Sequence, residues 1–271
     1  MRFAFAVMAG VVALPFAAVG QGARLASHCI ALAQAEAQVV PVRFDDPLAE
    51  NTLRISYVDH ATFVLETAGG LVAATDYTGY LGTGYLVPDV VTMNNAHGTH
   101  WTATPDVRIA HVLRGWPEAG VAAAHSLDLG EMLVRNVTTD TRGPFGEGAQ
   151  GDGNSIFIFE AAGLCVGHLG HLHQIPDAAQ LAAIGRLDVV MVPVDGGYTM
   201  SVADMAGVVR DLRARVVIPM HWFSGASLEL FLAEMAGAFQ VVRLDQPDME
   251  FSRDNLPGAP TIIVLEPAFL E

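Results

Sequence analysis

Ten histidines punctuate this chain of 271 residues, and most of them stand in groups. His97 and His100 fall in Asn94-Asn-Ala-His-Gly-Thr-His100, three more fill His168-Leu-Gly-His-Leu-His173, and His221 closes Pro219-Met-His221. Each group follows an apolar run with a turn-forming or polar stretch within or soon after it, so each sits where a strand ends. Side chains leaving several strand ends can converge, which is why open α/β sheets place their sites there. Neutral imidazole is the commonest metal ligand, and three or four of them suit zinc or iron. A lone histidine is ordinarily a surface or satisfied core residue; three clusters at strand ends point to a metal centre instead.

Composition narrows the remaining chemistry. All 14 basic residues are arginine, so Schiff-base chemistry and a phosphate-loop lysine are excluded. With 29 acidic residues the net charge is −15, which repels a polyphosphate backbone and excludes nucleic acid as a partner. A hydrophobic content of 52% with 16% charged residues supplies enough apolar surface for one large core.

The elements that would position the histidines are legible as runs. Strands are expected at Leu53–Val58, Thr62–Thr67, Leu71–Ala74, Asp89–Met93, Val107–Ala110, Met132–Val137 and Ser155–Phe159, with hairpin turns at 68–70 and 161–163. After Gly167 strands alternate with helices. One helix opens at Pro176-Asp177 and closes near Gly185, and a second starts at Ser201, where Asp204 completes a capping-box pattern. A strand at Leu187–Val192, another at Arg215–Pro219, a helix over 227–237 and strands around Val241 and Ile262 follow.

Residues 1–20 carry Arg2 and an uncharged apolar run ending in small residues, the pattern of a cleaved secretory signal peptide, with 21–40 as a linker and 41–271 as the mature domain. The expected location is periplasmic or secreted, without stable membrane insertion after cleavage. Cys29 and Cys165 then form one disulfide or remain two free thiols; the sequence leaves both open.

On these residues a family resemblance becomes specific. Ile55-Ser-Tyr-Val-Asp-His60-Ala-Thr-Phe-Val64 resembles the opening strand of metallo-β-lactamase fold hydrolases, especially the ascorbate-6-phosphate lactonase branch. Asp76, the stretch Asp188–Met200 and Val217-Ile-Pro-Met-His221 resemble later family motifs in order. The resemblance implies an α/β fold, a four-layer αββα sandwich with metal held at one edge between the sheets.

The ligand pattern departs from that family. Its His-x-His-x-Asp-His turn reads Asn95-Ala-His97-Gly-Thr99-His100 here, its mid-chain histidine falls within 137–142 with Asp140 as the substitute, and its bridging Asp is His171. One half-site is thereby reduced to Asn95, His97 and Asp140, and Asn is a poor zinc ligand. The other gathers His100, His171 and His221, enough for one catalytic ion with a position left for water. The expectation is one ion per chain, zinc with iron or manganese as alternatives, held by His100, His171 and His221 with His97 or Asp140 as a further ligand. His60 and Asp140 are expected to handle protons. His168 and His173 read as neighbours of the ligands, and His111 and His125 as structural or surface residues.

The function implied is an exported hydrolase in which a metal-bound hydroxide attacks a small-molecule ester, lactone, amide or phosphoester, with Arg142 or Arg114 available to recognise an anionic group. Two other classes share the pattern: a mononuclear iron enzyme that uses oxygen, and a catalytically silent protein that binds metal or ligand. Substrate identity and oligomeric state do not follow from these residues.

Overall fold

The structure is a computed structural model that describes residues 27–29, 47–143, 148–223 and 225–270. The expected leader and most of the 21–40 stretch lie outside the described residues.

Five strands build the first sheet in chain order: β1 (Leu53–Asp59), β2 (Thr62–Thr67), β3 (Val72–Ala74), β4 (Val90–Met93) and β5 (His111–Arg114). The chain then enters the second sheet through β6 (Ser126–Asp128), β7 (Met132–Arg142), β8 (Ala149–Ala161) and β9 (Leu164–His168). From there α1 (Ala178–Ile184), β10 (Val189–Pro193), α2 (Val202–Leu212), β11 (Val216–Met220), α3 (Ala226–Glu234) and β12 (Gln240–Leu244) alternate. β13 (Asp248–Phe251) returns to the first sheet and β14 (Thr261–Leu265) ends in the second. The strand orders are β13-β1-β2-β3-β4-β5 and β12-β14-β11-β10-β9-β8-β7-β6.

Period-two alternation explains why these strands make a sandwich. Phe157 and Phe159, Val189 and Met191, and Ile263 and Leu265 face a core shared with Leu53, Ile55 and Phe63 of the other sheet. Their neighbours Ile156 and Ile158, Val190 and Val192, and Ile262 and Val264 point the opposite way, onto Met205, Val209 and Phe231 of the helices. Strands buried on both faces read as continuous apolar runs, and burying each large side chain contributes about 1.5–3 kcal/mol. A one-residue slip would exchange the two cores, so the register is strongly specified.

The expected α/β sandwich is therefore present, with its outer layers unequal. α2 and α3 cover the eight-stranded sheet. Among the described residues the outer face of the six-stranded sheet is closed by loop side chains instead, including Tyr77, Leu81, Ile109 and Leu270.

Two local expectations need correction, and two strands were not expected. Residues 107–110 form a turn rather than a strand, because Asp106 accepts the Arg108 N–H on its carboxylate and the Ile109 N–H on its carbonyl, and pairing starts at His111. Ser201 caps α2 by accepting the Asp204 N–H, yet the Asp204 carboxylate accepts from the Ser201 hydroxyl; the reciprocal box belongs to α1, through Asp177 and Gln180. β6 and β13 are too short and polar to announce themselves.

Cys29 and Cys165 form a disulfide with Cα atoms 5.7 Å apart. Residues 27–29 are held against the sheet as well by Glu160, whose carboxylate accepts from Ser27 Oγ, the His28 N–H and Arg135 Nε. No helix among the described residues is long and apolar enough to cross a membrane.

Candidate metal centre

Four loop positions deliver imidazoles to one edge of the sandwich. His60 occupies the β1–β2 turn and His221 follows β11, both in left-handed backbone conformation, at φ 49 and 60. His100 closes a turn after β4, its N–H donating to His97 O at 2.8 Å. His171 follows β9 through Gly170, whose φ of 60 and close approach to the Asn94 and Asn154 side chains leave no room for a Cβ. The Asn154 amide oxygen then accepts the His171 N–H at 2.8 Å.

The rings are oriented by carboxylates that sequence reasoning gave no such part. His100 Nδ1 lies 2.7 Å from Asp76 Oδ2, both side chains fully buried, and the other Asp76 oxygen accepts the Asn94 N–H. His221 Nδ1 lies 2.9 Å from Asp195 Oδ2. Asp195 is itself clamped by the N–H groups of Gly197, Tyr198 and Thr199 and by the Thr199 hydroxyl. The signal for Asp195 was in the sequence: an acidic residue followed by two glycines at the end of a buried strand favours a turn that folds backbone donors onto the carboxylate.

With both Nδ1 atoms turned to carboxylates, His100 and His221 each present a lone pair at Nε2, and the two Nε2 atoms are 3.3 Å apart. Two acceptors cannot bond to each other, and a cation between them removes the conflict. Two imidazoles on one tetrahedral zinc, with Zn–N of about 2.0–2.1 Å, place their nitrogens about 3.3–3.4 Å apart. His60 joins them: ligand atoms of His60, His100 and His221 all lie within 4.8 Å of one another, and buried His60 Nε2 has no hydrogen-bond partner among the described residues. His171 Nδ1 stands 2.7 Å from His100 Nε2, a hydrogen-bond separation. These donors fit a divalent ion that prefers nitrogen ligands.

Electrostatics favours the ligating, neutral form. Burial first, then the neighbouring His221 and His100, lowers His60 to about 3. Burial likewise drives His100 and His171 well below the usual imidazole value. Burial pushes the Asp76 carboxyl up to about 7 although the Asn94 N–H donates to it. Burial opposes ionisation of Asp195 too, but bonds from His221, Thr199 and Gly197 outweigh it and hold that carboxyl low.

The remaining candidates divide. His97 is exposed, stacked on His171 at 5.4 Å between ring centroids, with Nδ1 3.1 Å from Thr99 Oγ1. Asp140 turns into the β7–β8 hairpin and accepts the Asp152 N–H, and Asn95 donates its amide to Gly153 O at 2.7 Å. His168 is fully buried, donating from Nε2 to Ala61 O, and His125 bonds Arg114 O. His173 is fixed between the Arg142 N–H and Tyr198 O, while Arg142 Nη2 ties down the carbonyls of 197–199.

Two cavities flank the imidazoles. One of about 390 Å³ is polar, walled by Asn95, His97, Arg142, Gln150, His171 and His173 among others. The other, of about 440 Å³, lies on the His60 side.

Face-packed mixed sheets with a histidine–carboxylate centre at one edge define the metallo-β-lactamase class of fold. Residues 54–221 match the family described as the Beta-lactamase superfamily domain, and the chain belongs to that superfamily. A UPF0173 protein of Pyrococcus furiosus is 24% identical over 203 residues, 68% of this chain and 90% of the relative. A UPF0173 metal-dependent hydrolase of Methanoregula boonei is 26% identical over 167 residues, 56% of this chain and 70% of the relative. Among solved structures, a Zn-dependent hydrolase of the metallo-β-lactamase superfamily from Thermotoga maritima is similar, with TM-score 0.57 and 25% identity over 79% of this chain and 98% of that one.

Proposed function

We propose that this chain is an exported metal-dependent hydrolase of small-molecule esters, lactones, amides or phosphoesters, working with one ion, zinc by preference, at the imidazole cluster. The observation that carries the reading is the pair of Nε2 atoms of His100 and His221, 3.3 Å apart with a carboxylate behind each ring. Carboxylate-backed histidines have a set tautomer and raised basicity, which is how metal-binding imidazoles are ordinarily supported. The names of the relatives from Methanoregula boonei and Thermotoga maritima point the same way.

His60, His100 and His221 would hold the ion. His171 would join them by moving its proton to Nε2, which turns the Nδ1 lone pair toward the same point. A divalent ion held there would supply Lewis acidity and would lower the pKa of a bound water to about 7. Asp76 and Asp195 keep the ring orientations. His60, with its imidazole lowered to about 3, suits the role of ligand better than proton carrier. Proton relay passes to His97, which is exposed beside His171. Asp140 takes no part, since its carboxylate serves the hairpin. One ion is favoured over two because Asn95 spends its amide on a backbone carbonyl and Thr99 stands where the family has an acid.

The deciding experiment is elemental analysis of untagged protein from its native compartment, paired with hydrolysis of an ester, lactone and phosphodiester panel with and without chelator. One equivalent of zinc and chelator-sensitive turnover are expected; no bound metal and no turnover would return the chain to the silent-binder class. Export is supported by the disulfide, which persists in oxidising compartments. Intact mass of the exported protein should start near residue 21, and a membrane-bound species retaining Met1 would refute cleavage.

A further inference from the structure

Three aromatic rings are left largely in water around one cavity, the one that shares His60 with the metal centre. Tyr80 is 51% exposed, Phe223 63% and Phe269 49%, and all three line the 440 Å³ space together with Asp59, His60 and Thr99. Exposed large apolar side chains scattered singly are ordinary, but a cluster lining a concavity marks a binding site, and the volume lies within the range of about 300–1,000 Å³ usual for small ligands.

The fold holds these rings in place. The segment after β14 is strapped across the sheet edge by bonds from Ala268 N to Tyr57 O and from Leu270 N to Leu81 O. At Gly82 a Cβ would overlap the Leu270 carbonyl, so only glycine lets the two segments approach. That approach brings Tyr80 and Phe269 to 5.3 Å between centroids. Phe223, two residues after His221, lies 5.2 Å from the His60 ring and 5.3 Å from the His221 ring. Its other edge meets Tyr198 at 5.5 Å, and Tyr198 lines the polar cavity. Phe223 and Tyr198 thus form a ridge at the centre, with an aromatic chamber on one side and a polar one holding Arg142 on the other.

We propose that the aromatic chamber receives an uncharged apolar acyl or arylalkyl group, so that the substrate is an ester or lactone whose acyl part packs on Tyr80, Phe223 and Phe269. The assignment deepens the hydrolase reading and rests on it for the scissile bond. Asp59 at the chamber wall, and a net charge of −15, disfavour an acyl chain ending in a carboxylate. The polar leaving part then lies toward Arg142 and His97. Each methylene buried in such a chamber is worth roughly a fourfold gain in binding.

The test uses the metal-loaded full protein and methyl esters that differ only in the acyl part: acetate, hexanoate, 4-phenylbutanoate and monomethyl adipate. Expected is a kcat/KM at least about tenfold higher for hexanoate and phenylbutanoate than for acetate, with the adipate, which carries a terminal carboxylate, at or below acetate. Phe269→Ala and Tyr80→Ser should each cut the phenylbutanoate-to-acetate ratio severalfold, whereas Tyr85→Ala, outside the chamber, should leave it unchanged. Calorimetry with 4-phenylbutan-1-ol, which cannot be hydrolysed, separates the two readings. Binding that Phe269→Ala weakens, with no ester turned over, removes the hydrolase reading and keeps the chamber. Turnover with ratios near one, no binding of the alcohol, or binding indifferent to Phe269→Ala overturns the chamber.

Discussion

The backbone N–H of His221 donates to the carbonyl oxygen of His60 at 2.8 Å, and both residues lie in the left-handed region. The β1–β2 turn belongs to the first sheet and the end of β11 to the second, so this bond joins the sheet edges at the imidazole cluster. The same carbonyl accepts from the Tyr57 hydroxyl at 2.8 Å. A non-glycine residue in this conformation costs about 1–2 kcal/mol, which persists where the surrounding structure over-determines it. His60→Gly should therefore be about 1 kcal/mol more stable to urea than His60→Ala, although both remove the imidazole. Equal midpoints would show that the turn relaxes and stores no strain.

Metal content should follow the ring geometry. His100→Ala, His171→Ala and His221→Ala are expected to strip the ion, and Asn95→Ala to leave occupancy nearly unchanged. Asp76→Asn and Asp195→Asn, which alter the support behind His100 and His221, should weaken metal affinity by about 10–100-fold without abolishing binding. Competition with a chromogenic chelator measures all six; full occupancy in His171→Ala would confine the set to His60, His100 and His221.

Acid should destabilise the metal-free protein. His60 falls from 6.5 unfolded to about 3 folded, so between those pH values the unfolded chain binds the extra proton and stability is lost as pH falls. His100, His168 and His171 shift in the same direction because they are buried. Asp76 acts oppositely: raised from 3.8 to about 7, it favours the folded state as pH falls through that window. Several imidazoles outweigh one carboxyl, so the urea midpoint should be lower at pH 5 than at pH 7, and zinc at pH 7 should raise it further. A higher midpoint at pH 5 would mean that Asp76 dominates.

The disulfide spans 136 residues, and closing so long a loop restricts the unfolded chain strongly. Cys29→Ser should lower stability by about 2–5 kcal/mol, or roughly 5–15 °C in Tm, and free residues 27–29 to proteolysis. Loss of less than about 1 kcal/mol would assign the anchoring to Glu160 and its bonds from Ser27, His28 and Arg135.

Most strands were readable because their evidence is local, whereas the sandwich they build was what the family resemblance implied. Runs such as Val189–Pro193 and Ile156–Phe159 are short, apolar and rich in β-branched or aromatic residues, which together mark buried strands. β13 was not readable: Asp248-Met-Glu-Phe251 has no β-branched residue, and its place beside β1 depends on pairing partners nearly two hundred positions away. Residues 107–110 looked like a strand by composition, but the Asp106 turn competes for the same backbone and wins.

For the centre, the strand-end clusters drew attention to His97, His100, His171 and His221, and the family resemblance added His60 and gathered all five about one site. Which of them face each other was not readable, since ring orientation depends on Asp76 and Asp195 and on left-handed backbone at His60 and His221. Asp140 illustrates the difference. Its residue type suits a ligand, yet the hairpin register turns its carboxylate to the Asp152 N–H. Sequence determines which groups are available and roughly where the chain turns, because both are properties of short segments. Roles at the centre come from distances of about 3 Å between loops of different sheets, which exist only once the two sheets have packed.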